Sequence, residues 1–277
     1  MTTDSKSTPH VSQWLDKQPA GSAEVDISIV IPAYNEEWRL PPTLVDAIDY
    51  LESTQKKYEI LVVDDGSTDS TVDVVKKFER IRPQIHLIRA PRNYGKGHAV
   101  KLGVLSAQGK AILFADADGS TPFRELHRLE KSLADGADLA IGSRALIAND
   151  TKVIAHTHRK FIGRFFNFLV NVLVLPSIAD TQCGFKLFKK DVARFLFENQ
   201  TSDGFSFDVE LLLIARKAGL TVAEVPINWR NVAGSKVNLI SDSIRMFLDI
   251  ISFRFTHRRI THQDYLASVA RHSPLSS

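Results

Sequence analysis

The first half of the chain repeats one pattern: a short, nearly uninterrupted apolar run, a polar cluster, then a stretch with helical spacing. Ile27–Ile31 (ISIVI), Glu59–Val63 (EILVV), Ile85–Ile88, Ala111–Ala115 (AILFA) and Leu139–Ile141 read as strands. Helical patterns lie between them over Leu40–Leu51, Thr68–Arg82, Lys96–Ala107 and Leu126–Leu133. The first opens at Pro41-Pro42, and Thr68, Asp69 and Ser70 are capping candidates for the second. Strands without polar alternation are buried on both faces, so the pattern predicts an α/β fold with a mostly parallel central sheet flanked by helices. Ligands of such sheets bind beyond the carboxyl ends of the strands. The polar clusters sit at those ends: Tyr34-Asn35-Glu36, Asp64-Asp65, and Asp116 with Asp118. The topology would bring all three to one crevice.

The second half differs. Ten of the sixteen phenylalanines fall between Phe161 and Phe207, and Phe161–Leu175 is a nearly all-apolar, helical-looking stretch too short to span a bilayer. Asp208–Arg216 reads as a helix, and Val222–Val225 and Ile227–Trp229 as extended. Ile240, Ile244, Phe247, Leu248, Ile251 and Phe255 share one helical face, with Arg254, His257, Arg258 and Arg259 at its end. That face either packs on the sheet or docks on a membrane surface; periodicity predicts both alike. Residues 24–259 are expected to form one domain, with 151–259 facing acceptor and membrane. A flexible segment is expected over 1–23, and a tail over 260–277. The 1–23 segment has no apolar core of a signal peptide, and no stretch of about eighteen apolar residues appears, so any membrane attachment is expected to be peripheral, at a cytoplasmic face. The single cysteine, Cys183, rules out an internal disulfide and has no Cys/His signature near it.

Charge is unevenly divided. Residues 151–277 hold 17 basic and 10 acidic side chains, against 18 and 22 in residues 1–150. An acidic first half suits a cation site, and a basic second half suits a phosphate or an anionic membrane. No Lys/Arg stripe interleaved with aromatics appears, which argues against nucleic acid as a partner.

Asp116-Ala117-Asp118 carries the chemistry. Two carboxylates one residue apart at a strand end can hold a hard divalent cation, Mg²⁺ or Mn²⁺, which prefers oxygen ligands and keeps positions for phosphate oxygens. A cation so held neutralises a departing diphosphate. Asp65 is a candidate for a base or ribose, while Asp64 fits an Asx-type turn at Gly66. Arg92–Gly97 (RNYGKG) matches neither common phosphate-loop spacing, but its backbone N–H groups and Lys96 can approach phosphates. Arg144 follows the fifth strand and, with Arg159, Arg230 and Lys236, fits a dianionic ligand. Asp180–Lys186 (DTQCGFK) packs polar, glycine and aromatic residues between two hydrophobic helices. Asp208 is a candidate general base, or simply a favourable charge at a helix N-terminus.

These segments together resemble glycosyltransferase family 2, and within it the dolichyl-phosphate glucosyltransferases and dolichyl-phosphate mannose synthases. The carrying pieces are IPAYNEE (31–37), LVVDDGSTD (61–69), RNYGKGHAVKLG (92–103), LFADADGST (113–121), GSR (142–144), DTQCGFKLF (180–188), FDVELL (207–212) and WRNVAGSK (229–236). They run in family order over about 230 residues. The resemblance implies a GT-A type nucleotide-sugar-binding fold. It implies nucleotide contacts at Pro32, Tyr34, Glu36, Val63 and Asp65, and a metal pair at Asp116 and Asp118 with Ala117 between them. It also implies acceptor-phosphate contacts at Arg144 and Arg159 and a basic residue near the diphosphate at Lys236. Arg230 matches the mannosyl branch only. The expected reaction moves a hexose, glucose from UDP-glucose by branch resemblance, onto a polyprenyl phosphate. Such a nucleophile is already mostly dianionic at neutral pH and needs no base, so in-line attack would invert the anomeric centre. The rival reading is a soluble family member acting on a sugar hydroxyl with Asp208 as base.

Overall fold

The computed structural model describes residues 24–154, 178–232 and 241–272. Seven strands form one sheet. They are β1 (Ile27–Ala33), β2 (Tyr58–Asp64), β3 (Ile85–Arg89), β4 (Ala111–Ala115), β5 (Leu139–Ser143), β7 (Phe185–Lys189) and β8 (Val222–Pro226), in the order β3-β2-β1-β4-β7-β5-β8. All neighbours are parallel except β7, which runs antiparallel to both β4 and β5. A two-stranded parallel sheet pairs β6 (Val153–Ile154) with β9 (Trp229–Arg230). The helices are α1 (Leu40–Ser53), α2 (Thr71–Ile81), α3 (Lys96–Ser106), α4 (Leu126–Ala134), α5 (Lys190–Asn199), α6 (Phe207–Lys217), α7 (Ser241–Thr256) and α8 (His262–His272).

The near-continuous apolar strands are explained by two cores, one on each face of the sheet. Ile29, Ile31, Ile60 and Val62 point into one, beneath α1 and α4. Val30, Leu61, Val63 and Phe114 point into the other, beneath α3, α5 and α6. Every residue of β2 is buried. α2 begins later than its spacing predicts, because Asp69 accepts the Thr71 N–H at 3.0 Å and holds residues 68–70 in a turn.

β7 departs from the sequence reading, which assigned no strand there and set Asp180–Lys186 between two helices. The strand FKLFK sits in the middle of the sheet, with Phe185 and Leu187 in one core and Phe188 in the other. The charge of Lys186, at a fully buried position, hides the strand from a hydrophobicity pattern. α8 lies in the segment that the pattern set aside as a tail. Its Tyr265 packs edge-on against Phe195 of α5, with ring centroids 5.5 Å apart, and His262 bonds the Ala218 carbonyl at 2.7 Å. Among the described residues no helix is long and apolar enough to cross a membrane. The Phe161–Leu175 stretch lies outside the described residues.

Candidate active site

β1, β2 and β4 run parallel, so their carboxyl ends reach the same edge of the sheet, and the three polar clusters meet there. A cleft of about 830 Å³ opens at this edge. Pro32, Tyr34 and Glu36 line it from β1, Asp65 from β2, and Asp116, Ala117 and Asp118 from β4. Lys96 enters from the start of α3.

The acidic couplet is held from several sides. The Asp116 N–H bonds the Gly184 carbonyl at 2.9 Å, extending the β4–β7 pairing into the cleft. Glycine at position 184 leaves Asp116 its place: a Cβ there would stand 2.0 Å from Asp116 Oδ2 and force the carboxylate to move. Thr43 Oγ1 donates to the Ala117 carbonyl at 2.9 Å, and Asp118 Oδ1 accepts the Ser120 N–H at 2.9 Å. Burial, and then the neighbouring Asp116 carboxylate, push the Asp118 pKa up. Lys96 Nζ lies 2.7 Å from Asp116 Oδ1. A two-carboxylate set of this kind fits Mg²⁺ or Mn²⁺, whose remaining positions are filled by phosphate oxygens and water. Among the described residues no group of three or more His, Cys, Asp or Glu is placed to hold a metal.

Asp65 does more than face the cleft. Its two oxygens accept the Tyr94 and Gly95 N–H groups at 2.9 and 2.8 Å. Those are the N–H groups of the RNYGKG loop that sequence reasoning directed at phosphates; Asp65 engages them and fixes the loop. Burial outweighs these bonds and leaves the Asp65 pKa above the ordinary value. Asp64 makes the expected Asx-type turn, accepting the Ser67 N–H at 3.2 Å. Glu36 is bound by Arg39, whose Nε donates at 2.6 Å. Arg39, one turn further on, also lines the cleft, and sequence reasoning missed it although the i,i+3 spacing was there to see. Val63, expected to touch the nucleotide, is fully buried in the core below and does not line the cleft.

The opposite wall was not legible in the sequence. It consists of the 201–206 loop together with Met246, Asp249, Ser252 and Phe253 of α7. The loop lies against the start of α3 so closely that a Cβ on Gly95 (φ +119°) would stand 2.3 Å from the Asp203 carbonyl oxygen. Glu210, fully buried, anchors it by accepting the Thr201 and Ser202 N–H groups at 3.0 and 2.9 Å, and it bonds His257 Nε2 at 2.7 Å. Burial pushes the Glu210 carboxyl up, but the bonds from His257, Thr201 and Ser202 outweigh it and hold the pKa below its ordinary value.

The other predicted residues that the structure describes do not line the cleft. Arg144 is forked onto Asp180, Nε to Oδ2 at 2.6 Å and Nη2 to Oδ1 at 2.7 Å, with its guanidinium 5.5 Å from the Trp229 ring centre. Burial works against that charge, yet Asp180 outweighs it and keeps the arginine pKa above its ordinary value. Glu224 of β8 holds the acid in place by accepting the Ala179 and Asp180 N–H groups. Asp208 is not placed as a base: it is buried and ion-paired with Lys186, whose Nζ also bonds the Cys183 carbonyl at 2.8 Å. Burial raises the Asp208 pKa despite Lys186. Cys183 is buried too, its thiol pushed up to about 12 by burial and by Asp180, which makes it a poor nucleophile. Arg230 is exposed on β9, its N–H bonded to the Ser120 carbonyl at 2.9 Å. Arg159 and Lys236 lie outside the described residues.

An α/β sheet of this order with a carboxylate couplet at its nucleotide-sized cleft defines a GT-A type glycosyltransferase. Comparison with known proteins supports that class. The family model described as glycosyl transferase family 2 matches residues 28–197, and the chain belongs to that family. It is 40% identical over 243 residues to the dolichyl-phosphate beta-glucosyltransferase of Dictyostelium discoideum, covering 83% of this chain and 74% of the relative. The protein of that name from Saccharomyces cerevisiae is 37% identical over 271 residues, covering 91% and 80%. Among solved structures, glucosyl-3-phosphoglycerate synthase from Mycobacterium tuberculosis, in complex with Mn²⁺, UDP-glucose and phosphoglyceric acid, superposes with a TM-score of 0.61. It is 19% identical and the match covers 84% of this chain and 79% of that one, a likeness that speaks to the fold alone.

Proposed function

We propose that this glycosyltransferase moves glucose from UDP-glucose onto the phosphate of a polyprenyl phosphate of the dolichyl type, with inversion at the anomeric carbon. The observation that carries this reading is the fate of Asp208. A hydroxyl acceptor requires a base, and the only candidate that the sequence offered is buried and neutralised by Lys186. A phosphate monoester is largely ionised at neutral pH and requires none. The names of the relatives support the same acceptor.

On this reading Asp116 and Asp118 would hold a divalent cation, Mg²⁺ or Mn²⁺, which when bound neutralises charge on the departing diphosphate. Tyr34, Glu36 and Asp65 bound the nucleoside end of the cleft. Arg144 and Arg159 hold the acceptor phosphate. Asp180 occupies two of the five N–H donors of Arg144 and orients the guanidinium, which retains donors for a phosphate. The chain's work is thus positioning and electrostatics. A donor panel with Mg²⁺ or Mn²⁺ and a short polyprenyl phosphate, scored for lipid-linked sugar, tests the reaction. Arg144→Ala should lower turnover by roughly a hundredfold, as for loss of a charged group aimed at reacting phosphate. Asp208→Asn, judged per folded molecule, should keep most of its activity. The opposite pair of results would favour a hydroxyl acceptor.

The acceptor's lipid calls for a membrane surface, and α7 offers one. Its inner residues wall the cleft, while Leu248, Ile251 and Phe255 are 61%, 41% and 69% exposed. Arg254, Arg258 and Arg259 are exposed at the same end. We expect peripheral docking of this face on an anionic, cytoplasm-facing bilayer. Flotation with vesicles containing anionic lipid at low salt should carry the protein upward, and Phe255→Ser with Ile251→Ser should leave it at the bottom. Sedimentation of the native chain away from the vesicles would remove docking from the account.

A further inference from the structure

Two lysines approach one aromatic ring, and each is paired with a carboxylate. Lys96 Nζ lies 5.2 Å from the Phe114 ring centre and Lys186 Nζ lies 5.9 Å from it. Lys96 pairs with Asp116 and Lys186 pairs with Asp208. The two pairs are not equivalent. Lys186 and Asp208 are buried, with side chains 0% and 4% exposed, whereas Lys96 and Asp116 are 23% and 34% exposed and both line the cleft. The inner pair is therefore locked, and the outer one is free to exchange partners with whatever enters.

Lys96 holds Asp116 Oδ1, one of the few oxygens that the couplet can offer a cation. The other oxygen of Asp116, Oδ2, lies where a Cβ on residue 184 would stand 2.0 Å away, so the glycine leaves it room. A divalent cation and the lysine ammonium therefore compete for Asp116. If the cation prevails alone, it separates the Lys96 ammonium from the carboxylate that it pairs with at 2.7 Å.

We propose that Lys96 is an exchangeable counter-cation of the active site: it guards Asp116 against a metal ion arriving alone, and moves onto the donor's diphosphate when metal and nucleotide arrive together. Metal and nucleoside diphosphate then bind with strong mutual reinforcement, and Lys96 is one source of the coupling. This rests on the glycosyl-transfer reading for the identity of the diphosphate, but the test is independent of any acceptor.

The measurement is Mn²⁺ titration of the full chain, with free Mn²⁺ read by its electron paramagnetic resonance signal, without and with UDP. In the native chain Mn²⁺ alone should bind weakly, and UDP should tighten it. Lys96→Met should bind Mn²⁺ alone about tenfold more tightly, the size expected when one partly exposed charge at contact distance is removed. The UDP enhancement should shrink by a similar factor, because coupling between two ligands is reciprocal. Lys96→Arg, which keeps the charge, should resemble the native chain. Thermal melting reports whether each variant is folded, and Lys96→Gln replaces Lys96→Met if the latter is not. A Lys96→Met protein that binds Mn²⁺ no more tightly than the native chain, or keeps the full UDP enhancement, overturns the proposal. Failure of the glycosyl-transfer reading appears elsewhere, as the absence of lipid-linked sugar in the donor panel from a chain that still shows the Mn²⁺–UDP exchange.

Discussion

Asp118→Asn is expected to lower kcat/KM by roughly 10²–10³, the cost of losing one preorganised contributor to transition-state charge, and Asp116→Asn by at least as much. The effect is large because each variant removes one of the two carboxylates proposed to hold the cation. Asn keeps the size and one carbonyl oxygen, so the Ser120 N–H that bonds Asp118 Oδ1 retains an acceptor and the loop should stay in place. The two variants should differ in their metal binding. Asp118→Asn leaves Lys96 paired with Asp116 and should bind Mn²⁺ poorly with or without UDP. Asp116→Asn also removes the partner of Lys96. Steady-state rates over a range of donor concentrations, beside Mn²⁺ titration of the same samples, check both. Near-native turnover by either variant would remove the couplet from the centre of the chemistry.

Lys186→Met should be the most destabilising single change, by about 3–5 kcal/mol, because it strands a buried carboxylate. For a chain of this size that corresponds to a fall in Tm of roughly 6–20 °C. Asp208 would have to take up a proton, and its pKa is already raised by burial with the lysine present. The informative control is the double variant Lys186→Met with Asp208→Leu. Exchanging both partners of a buried ion pair for apolar groups is often neutral or stabilising, so the double variant should recover most of the lost stability. If it also recovers glycosyl transfer, Asp208 has no proton to move and the phosphate acceptor is supported from a second direction. A double variant as unstable as the single one would mean that the pair serves some role other than mutual neutralisation. Calorimetry or thermal melting monitored by circular dichroism reads all three proteins.

The charged residues show how far a sequence can be read. Asp116, Asp118, Asp65, Glu36 and Lys96 follow apolar runs or open a helix, and their neighbours along the chain suffice to direct them to one crevice. Lys186, Asp208, Arg144, Asp180, Glu210 and His257 could not be read in this way. Their partners are 22, 36 and 47 residues distant and are set by which strands lie side by side. Taken singly, Asp208 looks like a base and Lys186 like a surface charge. The antiparallel strand β7 brings the second beneath the first and removes both from the surface. Arg39 is an intermediate case, since its partner Glu36 lies within one turn and the spacing was legible.

By itself the sequence determined the α/β class, the edge of the sheet where the polar clusters meet and the carboxylate couplet that stands there. Apolar runs can satisfy their backbone only as paired strands, and the polar residues that end them must emerge together at one edge. Only the tertiary structure decided which ionisable groups remain available for chemistry. That depends on the insertion of β7 between β4 and β5 and on the folding of the 201–206 loop over α3. A charge can be neutralised by any opposite charge that packing brings within a few ångströms, and distance along the chain places no constraint on which one it is.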